Sequence, residues 1–490
     1  MVLLPQKASN SFRNITHNDK NLNHNLIMRI VKLTKYLCLL WLLGISIGSH
    51  AQKKYELTVQ QAVDMAFNNL ADVKNAQLDY RIQEEQNKGI EGQLYPQLSG
   101  SAGVQYYIQT PKILFPDASQ AGIYDVLIKE HLLPDGTQIP TPKLQALSFY
   151  QPWNSTFGAT LSQLLFQPDV FVGLQARKAS LQYAQSNIEQ VKEQVKDSAY
   201  KKYYAILVAG KQLYFLNESI KRLEKLYHDD SALYANGFAE KLDLDKVQVQ
   251  LTNLKTTASV VQTGLTLSYA ALKFSIGVSQ QDTVVLKDSL SIEEVKKDVL
   301  NDSVNYSDRP IIRTLDYSKK LSQLDVRRYK LQYLPSVAAQ ASYAINSMGN
   351  KFITDPTTVW LKTSYVGLNV SIPIFDGFQK RANIRQAQLR LQKLNNTYEQ
   401  VKQGIDLEVL ATKESFTNSL LQLDMQERNR ELAQKVYNTT KIKFEQGLGS
   451  SFEVLQADTE FQTAEANYFN ALYNAIVAKI SYQKAIGKLP

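Results

Sequence analysis

Residues 365 to 394 read YVGLNVSIPIFDGFQKRANIRQAQLRLQKL, and inside this stretch the chain changes its hydrophobic period. Up to Phe375, the residues Val366, Leu368, Val370, Ile372 and Ile374 alternate with Tyr365, Gly367, Asn369, Ser371 and Pro373. That alternation predicts a strand with one apolar and one mostly polar face. From Gly377 the period is helical: Ile384, Ala387, Leu391, Leu394, Tyr398, Val401 and Ile405 follow one another at alternate spacings of three and four, the seam of a coiled coil. Pro373 has no N–H and suits the end of an edge strand, Asp376 is a fair N-cap, and the Asp-Gly pair supplies the turn between the two regimes.

Proline spacing extends the reading outward. None occurs between Pro168 and Pro310 or between Pro373 and Pro490, so two long windows are free of the strongest helix breaker. Each window is interrupted near its middle by glycine, at YANGFAEKLDLDKVQ around Gly237 and at FEQGLGSSFEVLQAD around Gly447. A shift of 210 residues places Gly237 on Gly447, Leu242 on Phe452, Asp243 on Glu453, Leu244 on Val454 and Gly277 on Gly487. The strands repeat as well: FGATLSQLLF at 157–166 matches VGLNVSIPIF at 366–375. Other alternating runs begin near Leu94 and Leu334, each after a helical stretch. The chain is therefore read as a duplication of helix, strand, strand, long helix, turn and helix. Its repeats run from 52 to 277 and from 307 to 490, and residues 278–306, rich in Asp, Ser and Lys, form a connecting element.

Residues 1–51 are set apart from this plan. From Met28, MRIVKLTKYLCLLWLLGISIGSHAQ has a basic start, an apolar run from Tyr36 to Ile47, and Ser49 and Ala51 at the positions of a cleavage site, the pattern of a secretory signal. The run is too short for a membrane anchor of about 20 apolar residues. The one cysteine, Cys38, lies inside it, so the expected mature chain holds no thiol and needs no disulfide. Removing this leader lowers the formal charge from +9 to +4, which takes away the argument for a nucleic-acid partner.

Four alternating strands cannot close a membrane barrel alone, since single-chain barrels begin at about eight strands, so several chains would contribute. The tryptophans beyond the leader, Trp153 and Trp360, precede the second strand of each half, with Tyr106, Tyr107, Tyr150, Tyr343 and Tyr365 near comparable heights, as in an aromatic girdle. The expected lipid face comprises Phe157, Ala159, Leu161, Val366, Leu368, Val370 and Ile372. The long helices are too polar and too long to span a bilayer core of about 30 Å and belong in an aqueous space.

In their order and double occurrence, GLNVSIPIFDGFQKRANIRQAQ, the glycine-centred turns, and the LDLDKV and FEVLQA segments that follow them resemble the TolC-type outer-membrane efflux proteins. The resemblance covers essentially the whole chain beyond the leader. It implies a mixed α and β fold of long antiparallel coiled-coil hairpins, with four strands per chain in a twelve-stranded barrel closed by a homotrimer. It also implies a passive export duct in the bacterial outer membrane, its helices in the periplasm, docked by a periplasmic adaptor and an inner-membrane pump of the RND or ABC type. No cofactor is implied.

The same resemblance places a carboxylate ring at Glu453, with Gln456 where a second family aspartate is expected and Asp243 at the equivalent first-half position. Three converging Glu453 side chains would attract cations. The alternative is a solvated carboxylate favoured at a helix start. The turn residues Gly237, Phe238, Leu242, Leu244, Gly447, Leu448, Gly449, Phe452, Val454 and Leu455 are candidates for adaptor docking, or for a staple holding each hairpin together. Along the last helix, Phe461, Ala464, Tyr468, Ala471, Ala475, Ala478 and Tyr482 form a stripe expected to be structural.

Beyond the leader only His131 and His228 remain, with neither metal-ligand spacing nor a phosphate loop, so no enzyme is expected. The GISIG match to a nucleophile-elbow pattern falls in the signal. The rival is a coiled-coil scaffold or adhesin without a pore, which would have no use for strands with a lipid-like face.

Overall fold

A computed structural model describes residues 53–117, 119–134, 136–148, 150–297 and 304–490. The expected secretory signal, with Met28 and Cys38, lies outside the described residues. The chain divides into a small unit holding residues 279–285 with the segment ending at Glu56, and a large unit holding the rest. In the first, β1 (Lys54–Leu57) pairs with β6 (Thr283–Leu286).

In the large unit, one order of elements occurs twice. The first pass is α2 (Ala71–Gly92), β2 (Gln97–Tyr106), β5 (Trp153–Phe166), α4 (Pro168–Ala235) and α5 (Lys241–Ser275). The second is α7 (Pro310–Leu331), β7 (Ser336–Gly349), β8 (Val359–Ser371), α8 (Gln379–Glu445) and α9 (Ser451–Ala485). The helix α1 (Val59–Asn69) leads in, and a short helix α6 (Ile292–Lys296) lies between the passes. Helices α4 and α8, of 68 and 67 residues, each reach roughly 100 Å at about 1.5 Å per residue. Both are continuous because their interiors hold no proline.

Between β2 and β5 the structure has elements that the hydrophobic pattern does not reveal: a hairpin of β3 (Ile113–Asp117) and β4 (Lys143–Leu147) carrying α3 (Ser119–Lys129). The strand expected to continue to Phe375 ends at Ser371, so Ile372 lies beyond the sheet. Pro373 offers no ladder donor, and the partner strand begins at Ser336 opposite Ser371. The following helix starts at Gln379 and not at Gly377, because Gly377 and Phe378 both take left-handed backbone angles, φ 63° and 65°. The N-cap position is therefore Phe378 and not Asp376, although the Asp376 carboxylate, two residues earlier, accepts from the Lys380 N–H at 2.9 Å.

The four long strands form one antiparallel sheet in the order β2-β5-β7-β8. Its register gathers Leu98, Ala102, Val104, Phe157, Ala159, Leu161, Ala341, Ile345, Val366, Leu368 and Val370 on one face. On the other, Thr156 Oγ1 donates to Asn346 Oδ1 at 2.9 Å, Asn346 Nδ2 donates to Thr363 Oγ1 at 3.2 Å, and Thr160 meets Ser342 at 3.3 Å. The first face is mainly apolar, with Ser155, Ser347, Lys362 and Ser364 on it only toward the Trp153 end, and the second carries the polar ladder. Where β5 begins, Trp153 packs on Tyr106 and on Phe352, with ring centroids 4.8 and 4.9 Å apart.

The helices pack in sequence, α5 on α4, α4 on α9, and α9 on α8. Toward the sheet, α2 packs on α4, α4 on α7, and α7 on α8. The heptad residues Ala387 and Ile405 of α8 are buried, and Ile384, Leu391, Leu394, Tyr398 and Val401 are half-buried. The core lies along α9, whose whole expected stripe from Phe461 to Tyr482 is buried. Tyr437 stacks there on Phe461 and Phe416 on Tyr482.

Candidate functional site

The two passes end their long helices in the same turn. At the first, the Gly237 N–H donates to Tyr234 O at 3.0 Å and the Phe238 N–H to Leu233 O at 2.9 Å. At the second, Gly447 donates to Phe444 O and Leu448 to Lys443 O, both at 2.9 Å. Both glycines have φ of 76°, the left-handed geometry that this closure of a helix end requires. The duplication seen in the sequence is thus a repeat of hydrogen bonds.

Each turn pushes apolar side chains into the open. Phe238 is 82% exposed, Leu448 76%, Leu242 58% and Phe452 48%, while Leu244 and Gly449 are half-buried. Val454 and Leu455 are placed differently: both are buried in a cluster with Leu223, Leu226, Val247, Leu251 and Tyr437. They pack among side chains of α4, α5 and α8, while Phe452 stays half exposed beside Lys246 of α5.

Asp243 and Glu453 occupy the same third position of α5 and α9. Their surroundings differ. Lys246 Nζ lies 3.1 Å from Asp243 and 4.7 Å from the centre of the Phe452 ring, so one cation joins the first turn to the second. Glu453 has its N–H on Ser450 Oγ at 3.2 Å, and its side chain folds back over Gly449. Gln456 is exposed and donates to Glu460 at 3.2 Å. In the single chain Glu453 is a helix-start carboxylate on an exposed turn, and only neighbouring copies could make it part of a ring.

A second polar group lies above the turns, and the sequence reading passed over it. Arg222 of α4 reaches Asp458 of α9 at 2.8 Å, and Gln462 donates to the same carboxylate. Glu465 is buried one heptad further along α9. The signal was present, since both acids interrupt a seam whose other members are Val454, Phe461 and Tyr468. A cavity of about 190 Å³ opens beside Arg222, Tyr437, Phe444 and Asp458.

Residues 312–488 match the family model described as outer membrane efflux protein. That match runs through the second pass, from within α7 to just past the end of α9, and includes β7, β8 and the second turn. Over those residues the chain resembles the outer membrane efflux proteins. Among curated relatives, the outer membrane protein TolC of Vibrio cholerae is 20% identical over 342 residues, 68% of this chain and 76% of its own. The probable outer membrane lipoprotein SilC of Salmonella typhimurium is 21% identical over 436 residues, 88% of this chain and 85% of its own. Among solved structures, CusC superposes with a TM-score of 0.66 at 16% identity, covering 88% of this chain and 92% of that one. At that identity the likeness carries the fold alone, and no individual residue role follows from it.

Proposed function

We propose that the chain is the outer-membrane channel of a multi-part export machine: three copies close into a passive duct, and a periplasmic adaptor and an inner-membrane pump engage its helix turns. The observation that carries this reading is that every layer has two open flanks, one from each pass. In the sheet they are β2 and β8, both edge strands of an antiparallel sheet. In the helical layer they are α5 and α8. Val249, Val260, Leu267 and Phe274 on α5 are exposed at spacings of eleven and seven, and so are Leu421, Met425, Leu432 and Val436 on α8 at four and seven.

Unlike flanks at opposite ends of one packing order join head to tail, and such contacts either close into a ring or run on as a filament. Twelve strands in a ring remove all sheet edges, place the apolar face against lipid and the Thr156–Asn346–Thr363 ladder toward the lumen. No described helix is long and apolar enough to cross a membrane, so in this reading the strands alone do so. The exposed Phe238, Leu242, Leu448 and Phe452 then lie at the aqueous end, where an adaptor covers them.

Mass measurement on detergent-extracted protein tests the reading. Three copies per particle are expected, and a stable soluble monomer overturns it.

A further inference from the structure

Asp230 on α4 and Asp458 and Glu465 on α9 are buried along the line where these two helices meet. They are 0%, 1% and 5% exposed. A buried carboxylate is unfavourable unless it is neutral or well paired, so three along one seam need an account. Arg222 is committed to Asp458: its Nε donates to Oδ1 at 2.8 Å, its Nη2 donates to Ser219 Oγ, and it lies over the rings of Tyr437 and Phe461 at 5.3 and 5.2 Å.

Glu465 faces Arg222 from α4, Arg430 from α8 and Asp458 from its own helix. Arg430 is spread over the Tyr468 ring at 4.2 Å. Asp230 faces Ser451 at the start of α9, Asp243 on α5 and Asp229 beside it. Burial raises all three carboxyls above their ordinary values, Glu465 to about 7.

We propose that the α4–α9 seam is an acid-favoured clasp in which protonated Glu465 lets the first-pass and second-pass helices stay joined, and loss of that proton frees α9 near the turns. The sign follows from linkage. A carboxyl whose value in the joined seam exceeds its value in water holds its proton more tightly there. The resulting support is full below 4.5, the ordinary value for Glu465, declines as pH rises, and is gone by about 7. Asp230 and Asp458 act in the same direction. The clasp deepens the channel reading, and rests on it only in making the freed turns the entrance of a duct.

Hydrogen exchange on the purified full chain in detergent, corrected for intrinsic rates, reads the seam directly. In the unaltered protein, amides of residues 454–470 should exchange at least about tenfold faster at about pH 7.5 than at about pH 5. Glu465→Gln should stay slow at both, and Glu465→Met, which also cannot ionise, should do the same if the Gln variant fails to fold. A flat profile in the unaltered protein, or the same rise in a variant, overturns the clasp. Single-channel conductance across the same range separates the two readings. PH-dependent exchange without any current leaves the clasp standing and the channel reading refuted, whereas current with flat exchange refutes the clasp alone.

Discussion

Helices α5 and α9 are both 35 residues long, occupy equivalent places in the two passes and follow the same glycine turn, yet α5 buries six of its residues and α9 buries eighteen. Their intrinsic helix-forming ability does not explain the difference. Their place in the packing order does: α9 is held between α4 and α8, whereas α5 has α4 on one side and its apolar residues Val249, Val260, Leu267 and Phe274 facing outward on the other. A duplicated segment has thus become core in one copy and flank in the other. In the assembly proposed above, a neighbouring copy covers that flank.

Charge insertion should break this pairing most strongly on the α9 side. Ala475 is fully buried, so Ala475→Glu should cost about 3 to 5 kcal/mol and abolish folding, read as loss of the thermal transition. Leu267→Glu on the α5 flank should leave each chain folded and instead lower the yield of assembled trimer in detergent, because Leu267 is 65% exposed. Equal loss of folding from both would mean that α5 is not a flank.

The sheet offers the next contrast. Leu368→Arg on the apolar face should cost about 2 to 4 kcal/mol, and Asn369→Arg on the polar face much less, measured as assembled protein recovered from membranes. Equal recovery would mean the wrong face has been assigned to lipid.

Much of this plan is legible in the amino-acid sequence, because it rests on periodicity. The alternation from Val366 to Val370 and the heptads from Ile384 to Ile405 arise from burial on one side, and burial repeats with the geometry of the backbone. What escaped notice has local or exposed causes. Strand β3 contains Pro116 and the β3–β4 hairpin has only five residues a side, so it leaves no lasting period. The left-handed Phe378 follows from the turn geometry, which nothing in a bulky aromatic announces. The Asp458 and Glu465 carboxylates were visible as charges on a seam, but Arg222, which explains one of them, is 236 residues away in the chain.

Glycine substitutions give a smaller effect and a sharper comparison between the two passes. Gly277 and Gly487 end α5 and α9 with φ of 67° and 75°, and a Cβ there would lie 2.6 Å from Asn69 Cβ and 3.0 Å from Asp308 Cβ. Gly277→Ala should cost about 2 to 3 kcal/mol and Gly487→Ala somewhat less. At Gly237 and Gly447 nothing lies within 4 Å, so alanine should cost only the left-handed penalty of about 1 kcal/mol. Denaturant midpoints would rank the four. The reverse ranking would mean that the helix ends are not docked on Asn69 and Asp308.

The smallest effect concerns the turns themselves. With assembly intact, Glu453→Gln should lower cation preference and block by multivalent cations about twofold in bilayer recordings. Asp243→Asn should do less, since Lys246 already offsets that carboxylate. Unchanged currents for Glu453→Gln would make it an ordinary helix-start carboxylate.

The sheet's central pairing has a kinetic consequence. Strands β5 and β7 join residues such as Thr156 and Asn346, 190 positions apart, so the whole first pass and the connecting element must be synthesised before the sheet can form. Loop closure over such a distance is slow, and in that interval β5 exposes an unpaired apolar strand edge to every other copy nearby. The longer that closure takes, the longer the newly made chain carries an edge on which another copy can pair in place of β7.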